Sequence, residues 1–334
     1  MTMRVAVVGA GSWGTTVACI ASRNCPTTLW ARREDLADEI NTEHTNERYL
    51  PGFSLPHHVE GSSSLEETVE RADVVVMAVP SHGFRDVLAE AVPYIRPWVP
   101  LLSLSKGIEQ GTLLRMTEVI NELLPEHPAG ALTGPNLAKE IMAGQPAAGV
   151  IAMADERIAD GLQPVFASPS FRVYTNADIV GCEIAGALKN VMAIAAGMAA
   201  GLGFGDNTKA MLMTRGLSEL TRLGVAMGGE PLTFGGLAGM GDLFATCMSP
   251  YSRNQQVGYL LGQGQKIDEI IAGMDMVAEG VKTSKVVGEL SAKVGVEMPI
   301  AEQVEAVCHH GVSVGDALAS LMQRPSGREL DGIR

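Results

Sequence analysis

The sequence predicts an α/β domain built on a doubly wound parallel sheet, followed by an all-α domain. In the first half, short apolar runs that are typical of buried strands alternate with helical segments, as crossovers in a parallel sheet require. From about residue 178, helical periodicity continues almost to the end and is interrupted mainly at glycine and proline. We therefore place the first domain at residues 1–180, the helical domain at 181–325 and a polar tail at 326–334.

The first turn of the chain has the pattern of a dinucleotide-binding turn. Its G-x-G-x-x-G glycines are Gly9, Gly11 and Gly14, with a strand-like run at 5–8 before them and a helix-compatible run at 15–21 after them. Gly9 permits the tight turn, Gly11 lets the backbone approach a pyrophosphate, and Gly14 lets the helix pack against the sheet. This placement predicts a Rossmann-like, cofactor-binding domain. The alternative is a turn that needs positive φ and binds nothing.

The second predicted strand, Thr27–Trp30, ends close to Arg32 and Arg33. A site that prefers NAD would carry an Asp or Glu at this strand tip to bind the ribose hydroxyls. Two guanidinium groups instead favour a ribose 2′-phosphate, and so NADP over NAD. The alternative is that both arginines are solvated or paired with the acidic residues at 34 and 35.

Further loops that follow predicted strands should meet at one edge of the sheet. The chain from 35 to 72 is predicted to be helix and loop, and helices are expected near 81–95, 112–124, 137–143 and 155–167. Ligands bind at the carboxyl ends of strands in such sheets. Pro80-Ser81, Lys106 and Gly134–Asn136 all lie at these predicted ends, beside the glycine turn. The remaining strands are predicted at 74–79, 100–104, 131–133, 147–153 and 171–174.

A single charged side chain, Lys189, lies in the apolar stretch from Ile184 to Phe204. A lysine in such a helix is rarely buried without a partner. It can extend to water, pair with a carboxylate, or face a polar cleft. In a cleft it can have a lowered pKa and act as a proton donor.

Ser252 is placed to cap a helix, which would put Arg253 and Asn254 in its first turn. An arginine at a helix N-terminus is poorly placed for the dipole unless an anion also binds there, so this pattern suggests a phosphate site. The alternative is a surface arginine that pairs with Asp242 or faces solvent. Nearby, Asp206 or Asn207 is expected to cap another helix.

Composition limits the classes of partner. The net charge of −13 argues against general nucleic-acid or membrane-surface binding. The scattered cysteines indicate reduced thiols, and the pairs His57-His58 and His309-His310 do not fit a metal clamp, so no metal is predicted. The apolar stretch 179–204 is expected to be a buried helix and not a membrane span. The chain start shows no secretory signal, so we expect a cytoplasmic protein.

Taken together, the motifs resemble the bacterial-type, NAD(P)-dependent glycerol-3-phosphate dehydrogenases. The matching segments follow the family's order from residue 4 to about 310, and their combination is far more specific than the glycine turn alone. They are GAGSWGT (9–15), SLSKGIE (103–109), LTGPNLAKEI (132–141), EIAGALKNVMAIAAG (183–197), GLGFGDNTKA (201–210), LAGMGDLFATC (237–247), YSRNQQVG (251–258) and VAEGVKT (277–283).

The resemblance implies reversible hydride transfer between a nicotinamide cofactor and C2 of dihydroxyacetone phosphate. The product is sn-glycerol 3-phosphate, which the family supplies to glycerophospholipid synthesis. It further implies a cytoplasmic homodimer. The two arginines at the strand tip favour NADP(H) as the cofactor, with NAD(H) also possible.

The resemblance also implies roles for individual residues. Lys189 is the proton donor or acceptor, with Lys106 and Asp242 beside it as catalytic residues. With the three glycines of the turn, the residues implied at the cofactor are Ser12, Trp13, Arg32, Arg33, Lys106, Ala138, Arg253, Val277 and Glu279. Those implied at the substrate are Lys106, Gly134, Asn136, Lys189, Asp242, Ser252, Arg253 and Asn254. Many relatives carry Ser or Thr at position 136, and Asn can still donate and accept there.

Two other functions compete. One is a related β-hydroxyacid-type dehydrogenase that acts on a carboxylate, since Arg253 could bind a carboxylate as well as a phosphate. The other is an NADP-binding regulator without catalysis, which the fold alone does not exclude. The presence of Lys106, Lys189 and Asp242 together argues against the regulator.

Overall fold

The structure of the protein is a computed structural model that describes residues 3–274 and 278–325. The chain divides into two compact units. The first, called the sheet unit below, comprises residues 1–109 and 114–179. The second, the helical unit, comprises residues 110–113 and 180–334. The proposed tail at 326–334 lies outside the described residues.

The sheet unit contains one eight-stranded sheet with the order β3-β2-β1-β4-β5-β6-β7-β8. Neighbouring strands run parallel from β3 through β6, and β7 runs parallel to β8. The strands are β1 (Val5–Val8), β2 (Thr27–Trp30), β3 (Val59–Ser62), β4 (Val74–Met77), β5 (Leu101–Ser103), β6 (Ala129–Thr133), β7 (Ala147–Met153) and β8 (Phe171–Asn176).

Helices cover both faces of this sheet, as the apolar strands predict. Val5 and Val7 of β1 belong to one buried cluster, whereas Ala6 and Val8 belong to another. Because successive strand residues point to opposite faces, each face has its own core. The helices of the unit are α1 (Ser12–Ala21), α2 (Glu34–Thr42), α3 (Leu65–Val69), α4 (Phe84–Ala91), α5 (Met116–Leu123), α6 (Ala138–Met142) and α7 (Glu156–Leu162).

The expectation of an entirely parallel sheet is wrong at one pair, because β6 and β7 are antiparallel. The connection between them contains only α6, which has five residues. A helix of that length spans about 7.5 Å, at 1.5 Å per residue. The five residues of β6 extend about 17 Å. The crossover between parallel strands is usually a longer helix that packs on the sheet, whereas here the chain turns and β7 runs back beside β6.

The interpretation of residues 35–72 as helix and loop agrees with α2 and α3 but missed the edge strand β3. Of the residues of β3, only Val59 is buried. An edge strand that buries one side chain leaves neither an apolar run nor a period of two in the sequence. Its pairing with β2 therefore could not be seen there.

The helical unit is organised around α8, a 23-residue helix that is buried along most of its length. It is long and apolar enough to cross a membrane, but 89% of its most apolar window is buried inside the protein, as expected for a core helix. The helices of the unit are α8 (Ile179–Gly201), α9 (Asp206–Ala226), α10 (Pro231–Phe234), α11 (Asp242–Met248), α12 (Arg253–Gly262), α13 (Ile267–Ala272), α14 (Glu279–Val294), α15 (Pro299–His310) and α16 (Val314–Gln323).

The expected cap of α9 is wrong. The helix begins at Asp206 itself, its N-cap residue is Gly205, and no side chain caps it. Asp206 therefore stands in the first turn, where a carboxylate is favourable to the helix dipole without capping the backbone. The cap predicted for α12 is confirmed, because the Ser252 side chain accepts a hydrogen bond from the backbone N–H of Gln255.

Candidate active site

The three glycines of the first turn differ in what their missing side chains allow. Gly9 has φ of +121°, and a Cβ there would lie 2.7 Å from the Ala78 carbonyl oxygen. A Cβ on Gly14 would lie 2.0 Å from the Gly9 carbonyl oxygen. A Cβ on Gly11 would meet no protein atom within 4 Å. The fold itself therefore requires Gly9 and Gly14, whereas the space beside Gly11 is open to a ligand.

The helix that follows this turn presents a suitable site for a pyrophosphate. Gly11 is the N-cap residue of α1, and no side chain caps the helix there. The first N–H groups of a helix lack partners within the helix and attract anions. Together with the open space beside Gly11, this arrangement fits a dinucleotide. Ser12 and Trp13 are the first residues of α1, and the Trp13 ring packs against Phe171 with a centroid distance of 6.2 Å.

The two arginines after β2 are not equivalent. Arg33 pairs with Asp35 through two hydrogen bonds, one of them 2.8 Å long from Nε to Oδ1. This contact raises the pKa of Arg33 and lowers that of Asp35. Arg32 is exposed and forms no ion pair in the ranges that the structure describes. The alternative of pairing with a neighbouring acid therefore holds for Arg33 alone.

Lys106 is held near the carboxyl ends of β5 and β6. Its Nζ donates to the Gly134 carbonyl oxygen at 3.0 Å and to Asn136 Oδ1 at 2.5 Å. The sequence expectation that these loops meet at one edge is thus met for these three residues. Asn136 Nδ2 is buried and has no partner within the described residues, which leaves a donor available to a ligand. Ala138 begins α6, directly after this loop.

Lys189 is buried and paired, which decides among the alternatives left open by the sequence. Its Nζ lies 2.6 Å from Asp242 Oδ1 and 2.6 Å from Thr246 Oγ1. The Thr246 hydroxyl also lies 3.3 Å from the same Asp242 oxygen. Asp242 thus pairs with Lys189, although the sequence offered it as a partner for Arg253.

The position of Asp242 depends on the segment before α11. Leu237–Gly241 form a π-helical turn that leads directly into that helix. A Cβ on Gly239 would lie 2.2 Å from the Phe234 carbonyl oxygen, so this turn requires glycine. Thr246, which the sequence analysis did not select, follows Asp242 by four residues. That spacing puts both side chains on one face of α11 and was the signal that could have found it.

The first turn of α12 joins three helices of the helical unit. Asn254 Nδ2 donates to Asn190 Oδ1 on α8 at 2.9 Å, and Asn254 Oδ1 accepts from the Gly280 N–H in the first turn of α14 at 2.9 Å. Both side-chain asparagines are buried. Asn254 therefore fixes the relative positions of these helix segments. The sequence analysis had placed it against the substrate.

Arg253 precedes Asn254 and is exposed. Desolvation by surrounding protein atoms lowers the pKa of its guanidinium, and the negative charge of Glu279 acts against this shift. An arginine stays charged despite such a shift, because its ordinary pKa is far above neutral. Glu279 is the first residue of α14, and Val277 lies outside the described residues.

Helices α8 and α12 run parallel and touch along their backbones. A Cβ on Gly258 would lie 2.0 Å from the Ile194 carbonyl oxygen, and a Cβ on Gly197 would lie 2.1 Å from that of Gln255. Gly201 and Gly262 make similar close approaches one turn further along. This contact and the Asn190–Asn254 hydrogen bond hold the start of α12 beside Lys189.

Comparison with known proteins identifies the family. The model of the NAD-dependent glycerol-3-phosphate dehydrogenase N-terminus matches residues 4–159, and that of the C-terminus matches residues 178–319. The chain belongs to the NAD-dependent glycerol-3-phosphate dehydrogenase family. The resemblance inferred from the sequence motifs is therefore confirmed.

Individual relatives of the family match along nearly the whole chain. A glycerol-3-phosphate dehydrogenase [NAD(P)+] of Sphingopyxis alaskensis is 57% identical over 98% of this chain and 99% of its own length. One of Mycobacterium avium is 52% identical over 98% and 97%. The crystal structure of glycerol-3-phosphate dehydrogenase from Coxiella burnetii has a TM-score of 0.93 at 34% identity, covering 97% of this chain and 99% of that one. The predicted fold class, a Rossmann-like α/β domain followed by an all-α domain, is confirmed, with a sheet that is parallel except between β6 and β7.

Proposed function

We propose that this protein is a glycerol-3-phosphate dehydrogenase that interconverts dihydroxyacetone phosphate and sn-glycerol 3-phosphate with NADP(H) or NAD(H). Membership of the family gives the reaction class. The structural observation that supports this reaction is the buried Lys189, whose ammonium group is held by Asp242 and Thr246 in the helical unit.

The contacts of Lys189 suit a proton donor to a ketone oxygen. An ammonium group has three hydrogens, and Asp242 and Thr246 accept two of them in the described structure. The third can be directed at the C2 oxygen of the substrate. As that carbon is reduced, negative charge grows on the oxygen, and a fixed ammonium stabilises the charge and then gives the proton. The bound nicotinamide supplies or accepts the hydride.

The start of α12 suits the substrate phosphate. Arg253 is exposed there and lies next in sequence to Asn254, whose side chain is bonded to the neighbour of Lys189. The backbones of Lys189 and Arg253 are therefore close. A guanidinium binds phosphate through several N–H groups, and the positive end of the α12 dipole adds to its attraction. Held by its phosphate, the substrate would present C2 to Lys189.

In the sheet unit we assign the pyrophosphate to the first turn of α1 and the ribose 2′-phosphate to Arg32. Lys106, fixed by Gly134 and Asn136, lies at the same strand edge, where the nicotinamide end of a dinucleotide would extend. The preference for NADP(H) rests on the exposed Arg32, which no carboxylate neutralises in the part of the chain that the structure describes. We further propose that the enzyme is a cytoplasmic homodimer that feeds glycerophospholipid synthesis.

A direct activity assay with two substrates and two cofactors tests this function. Purified protein is mixed with dihydroxyacetone phosphate and either NADPH or NADH, and the loss of reduced-nicotinamide absorbance is followed. The same assay is run with unphosphorylated dihydroxyacetone and with Lys189→Met. We expect oxidation with the phosphorylated ketone only, faster with NADPH, and almost none with the variant.

Three outcomes would contradict the proposal in different ways. Equal rates with both ketones would remove the phosphate site at Arg253. Turnover of a 3-hydroxy carboxylate with NADP+, but not of glycerol 3-phosphate, would assign the enzyme to the β-hydroxyacid-type dehydrogenases. Binding of NADPH without turnover of either substrate would indicate a regulator.

A further inference from the structure

A buried side chain outside the glycine turn forms a hydrogen bond with the peptide at the middle of the turn. Asn46 lies in the segment between α2 and β3 and exposes 0% of its surface. Its Nδ2 donates to the Ala10 carbonyl oxygen at 2.9 Å and to Thr15 Oγ1 at 2.9 Å. Its Oδ1 accepts from the Tyr49 N–H at 3.2 Å. A carbonyl oxygen can only accept, so the amide nitrogen must face Ala10.

Ala10 and Gly11 share the peptide at the centre of the turn. This peptide is trans, and in a trans peptide the C=O and the N–H point in opposite directions. A hydrogen bond that holds the Ala10 oxygen toward Asn46 therefore directs the Gly11 N–H away from Asn46. Gly11 is also the residue beside which a Cβ would meet no protein atom, and it precedes the uncapped start of α1.

The segment that carries Asn46 is itself well anchored. Glu39 Oε1 on α2 accepts from the Thr45 hydroxyl at 2.9 Å and from the Glu47 N–H at 2.7 Å. The Asn46 carbonyl oxygen accepts from the Leu50 N–H at 2.7 Å. These bonds fix the backbone on both sides of Asn46, so its side chain can act as a rigid support for the turn.

We infer that Asn46 is a positioning residue for the dinucleotide, which orients the Ala10–Gly11 peptide so that its N–H faces the pyrophosphate. The inference rests on the proposed use of NADP(H). The Asn46 side chain bonds to Ala10, Thr15 and Tyr49, and none of these residues is assigned to hydride transfer or to the ribose 2′-phosphate. It should set how tightly a pyrophosphate is bound, with little influence on the chemical step.

The sharpest test is Asn46→Asp, which keeps the shape and replaces the donating nitrogen with oxygen. Without the donor, and with two oxygens facing each other, the peptide loses its preferred orientation. We expect Kd and KM for NADPH to rise at least ~10-fold, the factor expected when one hydrogen bond to an anion is lost. The value of kcat at saturating NADPH should stay within ~2-fold. Competition by adenosine 2′-monophosphate, which has no pyrophosphate, should be unchanged.

The pH dependence supplies a readout that a merely structural role would not move. Burial raises the pKa of a carboxyl group, and a protonated carboxyl regains a hydrogen to donate. The ratio of Kd for NADPH between Asn46→Asp and the unmodified protein should therefore fall as the pH is lowered from about 8 to about 6.

Two matched variants separate orientation from general effects on the fold. Asn41→Asp removes a side-chain donor of the same type at an exposed position, since Asn41 Nδ2 donates to the Gly61 carbonyl oxygen at 2.9 Å and Asn41 Oδ1 accepts from the Gly61 N–H at 2.8 Å. It does not touch the glycine turn, and NADPH affinity should be unchanged. Thr15→Val removes only the second acceptor and leaves the bond to Ala10, so most of the affinity should remain.

The possible results decide between the proposals. A folded Asn46→Asp that binds NADPH as well as the unmodified protein does, or that loses adenosine 2′-monophosphate equally, overturns the inference. If Asn46→Asp is recovered only unfolded, Asn46→Ala is measured instead. The same rise in Kd and KM for NADPH is expected without the pH dependence, and the same results would reject the inference. If the unmodified protein does not bind NADPH, the proposed function fails.

Discussion

Lys189 Nζ lies 2.6 Å from Oδ1 of Asp242, and these side chains expose only 7% and 1% of their surface. The desolvation of two charges is costly, and their attraction compensates only while both are present and correctly bonded. Thr246 completes the arrangement by accepting a second hydrogen from Lys189. With the proposed role of Lys189 as proton donor, this pair would link catalysis and stability, and single substitutions should affect the two differently.

Lys189→Met should lower kcat by at least ~10²-fold, because the proton donor is lost. Asp242→Ala leaves the lysine buried without its counter-charge, and we expect it to lower the free energy of unfolding by about 3–5 kcal/mol. The double variant Lys189→Met/Asp242→Leu should regain much of that stability and remain inactive. Urea unfolding and steady-state kinetics on all three variants measure both effects. A near-normal kcat in Lys189→Met would remove this lysine from the mechanism.

The two arginines after β2 should contribute unequally to cofactor choice. Arg33 is engaged with Asp35, whereas Arg32 forms no ion pair in the described ranges. Arg32→Ala should raise KM for NADPH several-fold and leave KM for NADH nearly unchanged. Arg33→Ala should have the smaller effect on NADPH. Equal changes for both cofactors in Arg32→Ala would show that this arginine does not bind the 2′-phosphate.

The glycines of the first turn should separate ligand binding from folding. Gly11→Ala adds a methyl group that meets no protein atom, so the melting temperature should stay within about 1–2 °C of the original. NADPH affinity should nevertheless fall, because the methyl group occupies the space for the pyrophosphate. Gly14→Ala places Cβ against the Gly9 carbonyl oxygen and should prevent stable folding. Thermal melts and NADPH titrations distinguish these cases, and undiminished NADPH affinity in Gly11→Ala would contradict the pyrophosphate assignment.

Stability should depend on the ionisation of Glu219 on α9, which is buried in the helical unit. It accepts hydrogen bonds from the Ile300 and Ala301 N–H groups at the start of α15, at 2.9 and 3.3 Å. Burial nevertheless raises its pKa to about 7 from the ordinary value of 4.5, and the nearby Glu302 adds to this shift. Two N–H donors and the charge of Arg222 act in the opposite direction.

Between about pH 4.5 and about pH 7 the folded protein keeps a proton on Glu219 that the unfolded chain has released. The contribution of this group to stability is therefore fully present below the lower value and is lost as pH rises to about 7. At its upper bound the loss is about 3 kcal/mol. Glu219→Gln has no such titration, so the stability difference between the two proteins should change across this window. A constant difference from pH 4.5 to pH 7.5, by urea unfolding, would contradict the raised pKa.

The sequence predicted well those features that come from local patterns. The apolar run before Gly9 and the Ser252 cap of α12 both use rules that span a few residues, and the structure has both. The lone charge between residues 184 and 204 identified Lys189 as unusual, but did not identify its partner. Asp242 is 53 residues away, and only the packing of α11 on α8 brings the two together. The family motifs, and not the periodicity, pointed to Asp242 as a residue of the same site as Lys189.

Other features left no usable pattern. Asn46 stands in a polar loop, where an asparagine is unremarkable until the loop is seen against the glycine turn. The reversal of β7 leaves no mark in the sequence, because an apolar run has the same pattern in a parallel and in an antiparallel buried strand. The resemblance implies a substrate contact for Asn254, and the sequence alone did not show that its amide also joins α8, α12 and α14.

The backbone contact between α8 and α12 fixes a register of 64 residues, in which Asn190 faces Asn254 and Ile194 faces Gly258. An insertion or deletion of one residue within either helix would rotate everything beyond it by about 100°. That rotation would replace the glycines with larger side chains at several contacts at once. Insertions and deletions should therefore be tolerated in the loops between these helices but not within them. Even an insertion of a whole helical turn between the asparagine and the glycines of one helix would separate the Asn190–Asn254 pair from the glycine contacts.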